Sequence, residues 1–133
     1  MREILFRGKQ TDNGKWIYGY YIQKLNPYSE DGEPRSHFIM DVAPFGQAVF
    51  PDTIGQYTGL TDKNGVGIFE GDVMEFDAYG FHYKGVVSFV DGNFCVICNR
   101  PTASPFLDNA IKQHDAICVG NIYDNPEILE GSK

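Results

Sequence analysis

The chain lacks any run approaching the roughly 20 apolar residues that a membrane span needs. Its N-terminal stretch MREILFRGK carries charge but no apolar core of signal-peptide length. Basic residues are scarce. Eleven Lys and Arg stand against 18 Asp and Glu in 133 residues, for a net charge of −7. Nucleic-acid binding draws its affinity from Lys and Arg at phosphates, so a general role of that kind is disfavoured. The loose basic cluster Arg2, Arg7, Lys9 and Lys15 reads as a solvated face. Cysteine numbers three. An odd count cannot close a complete disulfide framework and agrees with a reducing compartment. These absences predict a cytoplasmic protein with no membrane association. The sequence also has no G-x-S-x-G, no phosphate-cradling Gly loop of Walker type and no H-E-x-x-H.

What the chain has in quantity is aromatics and turn residues: 8 Tyr, 10 Phe and 15 Gly. Hydrophobic residues make up 42%, enough for a packed interior. Abundant aromatics broken by frequent turns predict an all-β chain of about nine short strands with little helix. Asn13-Gly14 predicts a hairpin between strands at 3–7 and 15–23. In KWIYGYYIQ, Trp16, Tyr18, Tyr20 and Ile22 alternate with Ile17 and Tyr21, so both faces are apolar and the strand is expected to be central and covered on both sides. Trp16, Tyr18 and Tyr20 are therefore expected in the core.

The stretch LNPYSEDGEPRS reads as an exposed loop. Strands are predicted at 37–43 and 47–50, separated by a turn at 44–46. A further turn falls at Asn64-Gly65, and another at Glu70-Gly71-Asp72 before a strand. Gly85 within FHYKGVVSFV predicts a bulge or bend. Asp91-Gly92 predicts a hairpin, NFCVIC its return strand, and 116–123 the last strand. One short helical turn is expected near Ser104–Ile111 and another at Glu127–Leu129.

Cys95, Cys98, His114 and Cys118 read as C-x2-C-x15-H-x3-C, a spacing near known zinc patterns. Two features oppose a metal. Side chains at i and i+3 of a strand point to opposite faces. Val96-Ile97 between the cysteines is β-branched and turn-averse, unlike the tight turn of a zinc knuckle. No helix begins after Cys98 to lower a thiol pKa, which opposes a redox pair. The expected reading is a β-strand with two buried thiols, and no metal or cofactor.

Asp72, Glu75 and Asp77 form a carboxylate cluster beside Glu70. Such clusters can run hydrolysis or hold a divalent cation. On a strand, Glu75 and Asp77 share a face with Val73, so a solvated edge is expected. His37, His82 and His114 are isolated in sequence and read as surface or half-buried histidines. No catalytic residue is assigned.

Three blocks resemble the YopX family, small proteins encoded mainly by phages, prophages and mobile elements. They are REILFRGKQTDNGKWIYGYY, IGQYTGLTDKNGVGIFEGDVMEF and VGNIYDNPEIL, in order and spanning nearly the whole chain. The resemblance implies a fold that includes an SH3-like β-barrel, a setting in the host-cell cytoplasm, and no catalytic residues to carry over. The expected architecture is one domain over 1–133, with an N-terminal β-region at about 1–60 packed on an SH3-like barrel at about 61–126. Gly59, Asn64-Gly65, Gly71, Asn121 and Pro126 are expected to set turns and packing. The expected role is a non-enzymatic module for a protein partner or self-association. Alternatives are a nucleic-acid-binding small barrel and a hydrolase or metal-binding protein using the carboxylates near Asp72.

Overall fold

The protein is described by a computed structural model covering residues 3–25, 35–42 and 45–130. It is built mostly of antiparallel strands and divides into two compact units, Met1–Tyr57 and Thr58–Lys133. Most of the predicted 25–36 loop, the residues Arg2 and Ala43, and Pro44 of the predicted 44–46 turn lie outside the described residues.

In the first unit, β1 (Phe6–Lys9) and β2 (Trp16–Leu25) form the predicted hairpin, with Phe6 opposite Gly19 and Lys9 opposite Trp16. Asn13 Oδ1 accepts the Lys15 N–H at 2.9 Å and shapes the connection. β3 (Arg35–Val42) pairs with the other side of β2, and β4 (Phe45–Ala48) pairs with β3. Gly46 therefore lies within a strand rather than in a turn. A 3-10 turn at Pro51–Thr53 leads into β5 (Gly55–Thr61), whose start pairs with β1. The order is β4-β3-β2-β1-β5.

β2 is central in this order, and its two faces differ: one is apolar core, whereas on the other Arg7, opposite Tyr18, is buried against half-buried Trp16 rather than solvated as expected. Ile17, with 6% of its surface exposed, packs with Ile39, Val49, Phe6, Tyr21 and Ile54. On the other face Tyr18 is 45% and Tyr20 69% exposed, which corrects their assignment to the core. Two apolar faces in sequence do not dictate which is buried. The face that meets aliphatic residues from β3 and the segment after β4 forms the core. Tyr21 on that face bonds its hydroxyl to His37, whereas Tyr18 and Tyr20 on the other face are exposed.

In the second unit the last part of β5 turns back into β6 (Gly67–Phe69) through the predicted Asn64-Gly65 turn. A five-stranded sheet follows, built from β7 (Asp72–Ala78), β8 (Phe81–Val90), β9 (Asn93–Asn99), β10 (Thr102–Ala103) and β11 (Ile117–Asn121), in the order β10-β9-β8-β7-β11. β10 and β11 are its edges, so this sheet is open. No sheet closes among the described strands, and the expected closed barrel is not formed there. β7 lies between β8 and β11. The carboxylates therefore sit on an interior strand rather than on the expected edge.

The register runs unbroken through Gly85, from Val86 opposite Val73 and Ile97 to Gly85 opposite Met74 and Cys98. This glycine makes no bulge. A Cβ there would lie 2.6 Å from the Ile97 carbonyl oxygen and 2.7 Å from Cys98 Sγ, so glycine is required by close approach.

The expected turn near Ser104–Ile111 is a two-turn helix, α1 (Leu107–His114), starting after Pro105 and ending at Asp115 in a left-handed conformation. Leu107 and Ala110, three residues apart, are fully buried with Ile68, Met74, Val87 and Val96, and Ile111 packs beside them. Pattern reading missed most of α1 because only one face of eight residues is apolar and polar residues fill the rest. A last helical turn, α2 (Glu127–Glu130), matches the expectation at 127–129.

Candidate interaction site

The titratable groups that sequence left scattered are gathered at the β7–β8 hairpin. Asp77 is directly opposite His82, and Glu75 is two residues further along β7 on the same face. His82 Nδ1 lies 2.5 Å from Asp77 Oδ1 and Nε2 lies 2.5 Å from Glu75 Oε1. The hydrogen bond to Asp77 and the proximity of Glu75 hold the imidazole above its ordinary pKa, against a smaller lowering by burial. An imidazolium clamped at both nitrogens has no lone pair to take a proton, so His82 in this state is no general base.

Beside the clamp lies an open cleft of about 550 Å³, bordered by Lys63, Glu75, Asp77, His82, His114 and Asp115. The His114 ring stacks on Phe76 at 5.8 Å between centroids and meets the edge of Tyr79 at 5.4 Å. Tyr79 and Gly80 form the hairpin tip, both with positive φ, 53° and 81°. Such a two-residue turn favours Asn or Gly at its first position, and a tyrosine there is strained. Tyr79 is nevertheless 82% exposed and Phe81 57%. A strained turn therefore presents two aromatic rings to solvent beside three carboxylates. Pattern reading missed this tip because tyrosine is not a turn former, although Gly80 between two short strands was a usable signal.

The other carboxylate of the cluster does different work. Asp72 is buried and its Oδ2 accepts the Phe69 N–H at 2.8 Å, closing the turn before β7. It does not join Glu75 and Asp77 at the cleft. His37 is paired with the Tyr21 hydroxyl at 2.6 Å. Arg7 and Lys9 both lie against the Trp16 ring, at 4.5 and 5.3 Å from its centroid.

The four candidate zinc residues are dispersed. β9 is the unbroken return strand of the Asp91-Gly92 turn, so alternation sends Cys95 and Cys98 to opposite faces. Cys98 and, at its margin, Cys118 belong to the core under α1, whereas His114 stacks on Phe76. Burial pushes the Cys98 thiol up to about 11, and burial with the nearby Asp91 charge also raises Cys95. Such thiols are poor nucleophiles. Among the described residues, no group of three or more His, Cys, Asp or Glu is placed to hold a metal ion.

The quoted motif blocks meet at a structural corner instead. Asp62 Oδ1 accepts the N–H groups of Asn64 and Val66, and its Oδ2 accepts that of Cys118 at 3.0 Å. Gly71 donates to the Val87 carbonyl and accepts from Ile122. A Cβ on Gly71 would strike the Tyr123 ring at 2.7 Å. Asn121 Oδ1 accepts from Tyr123 and Asp124. The middle and terminal blocks thus brace each other through backbone hydrogen bonds.

The sequence pattern of the family described as YopX protein matches residues 5–130. No curated protein matches the chain. Among solved structures, the fold is similar to the crystal structure of protein EF1440 from Enterococcus faecalis. That match has a TM-score of 0.56 and 24% identity, covering 97% of this chain and 99% of that one. No helix among the described residues is long and apolar enough to cross a membrane.

Proposed function

The chain belongs to the YopX family, and from that premise we propose a non-enzymatic protein-interaction module of phage or prophage type, acting in the host cytoplasm as one domain. The carrying observation is the hairpin tip. Tyr79 and Phe81 are held out to solvent by a strained turn, and Glu75, Asp77 and Asp115 border the cleft beside them. Exposed aromatic anchors next to charge are the composition of interface hot spots. Residues 58–133 hold eleven Asp and Glu against five Lys and Arg. That surplus favours a partner segment that is basic and carries an apolar side chain.

A hydrolytic or metal-dependent reading has less support. Asp72 is committed to a turn, and His82 engages one oxygen each of Glu75 and Asp77.

The test replaces Phe81 with a photo-crosslinking residue in cells that carry the native gene context. A single cross-linked partner is expected. In purified form that partner should lose at least tenfold in affinity on Tyr79→Ala with Phe81→Ser, the scale of one hot spot. A complex that tolerates both changes overturns the reading.

A further inference from the structure

The β7–β8 hairpin already holds a cation against its acidic cleft, and that cation is its own. We propose that His82 is an internal stand-in for an arginine side chain of the partner, which docks by displacing it and therefore binds more tightly as pH rises. This inference rests on the interaction reading above and names what regulates that site.

Glu75 and Asp77 leave β7 on one face, and His82 stands across the strand pair from Asp77. Its Nδ1 meets Asp77 Oδ1 and its Nε2 meets Glu75 Oε1. One planar cation thus bridges two carboxylates and engages one oxygen of each. A guanidinium offers the same features: a plane, a delocalised charge and N–H donors on more than one side. Unlike imidazolium, it keeps its proton at every pH of interest. The clamp is also within reach. The His82 side chain is 48% exposed and that of Asp77 82%, so an incoming arginine meets both carboxylates without opening the hairpin.

Charge sets the direction of the effect. The cleft is bordered by Glu75 and Asp77 from β7, His82 from β8, His114 and Asp115 from the end of α1, and Lys63 from the turn before β6. Lys84, opposite Glu75, donates to the Ile128 carbonyl at 3.4 Å. With His82 protonated, Glu75, Asp77 and Asp115 face two cations in that lining, His82 and Lys63. When the proton leaves they face Lys63 alone, and the bridge across Glu75 and Asp77 is gone. Both changes favour a partner's cation. The hydrogen bond to Asp77, helped by Glu75 and opposed by burial, holds the proton beyond the ordinary value, so the exchange falls above 6.5. Binding that expels a proton strengthens with pH by up to about tenfold per unit below the folded value, and levels off above it.

The experiment is imidazole NMR of the full chain, titrated in pH at low and constant ionic strength, with and without acetylated tetra-arginine amide as the probe. His82→Gln identifies the His82 resonance, and circular dichroism confirms that this variant folds. The probe should lower the His82 midpoint, and by more than that of His114. Its own affinity should rise by about threefold or more between about pH 6 and about pH 8, and in His82→Gln this rise should vanish. A His82 midpoint that the probe leaves in place overturns the inference. So does a shift matched by sodium chloride of equal ionic strength, or a rise in affinity that persists in His82→Gln. None of these results touches the interaction reading, which is decided by capture of a partner at Phe81.

Discussion

Asp62 ties one turn to one distant strand with a single carboxylate. Burial pushes its pKa up, but three backbone N–H donors, from Cys118, Val66 and Asn64, outweigh that, and Lys63 adds to them. The net result lies below 3.8. The stability it contributes is fully present above 3.8 and is lost as pH falls through the lower folded value. Asp62→Asn turns an amide donor toward at least one of those N–H groups. It should cost about 2 kcal/mol in urea unfolding at neutral pH, and the difference should shrink below pH 3.8. His82 runs the other way. Its folded pKa is raised above 6.5, so its stabilising contribution is complete below 6.5 and fades as pH rises through the folded value. Imidazole NMR should show a midpoint above 6.5 that falls in Asp77→Asn and moves toward the ordinary value in high salt, since the group is half exposed. Neither role could be seen in sequence. Asp62 acts on a residue 56 positions away, and His82 meets its partners only across a strand pair.

Elements were legible where a turn residue announced them. Asp91-Gly92 and Asn64-Gly65 located their turns because positive φ has few willing residues, and the return strand through NFCVIC followed from the first. Gly85 was legible as unusual but not as to cause, since a bulge and a close approach leave the same signature in one sequence. The structure makes the cause testable. Gly85→Ala drives a Cβ into the Ile97 carbonyl and Cys98 Sγ and should destabilise by about 1–3 kcal/mol, read as a lowered denaturation midpoint. The Tyr79 tip gives the opposite outcome. Tyr79→Asn suits the left-handed turn and should stabilise by up to about 1 kcal/mol, while removing an exposed ring from the tip. The buried side of β2 was illegible because both of its faces are apolar, and only the neighbouring strands decide between them.

At the scale of the whole molecule, the two units differ in how much core they hold. Among the described residues, the second unit buries Ile68, Met74, Phe76, Val87, Val96 and Leu107 in one cluster, whereas the first has Ile17, Ile39 and Val49. Native-state hydrogen exchange should therefore be slowest in β7, β8 and β9 and faster in β2 and β3. Equal protection in both units would contradict that ordering. The strand content was readable from composition and turn spacing. The division between Tyr57 and Thr58 falls inside the continuous strand β5.

The cysteines have a practical consequence at this scale. Cys95 and Cys98 sit three residues apart in one strand yet project from opposite faces, and Cys118 is half-buried on a third position. A thiol reagent applied to the native chain would thus clock the opening of each side of β9 separately. The protein carries its own stopwatch for unfolding, with no label introduced.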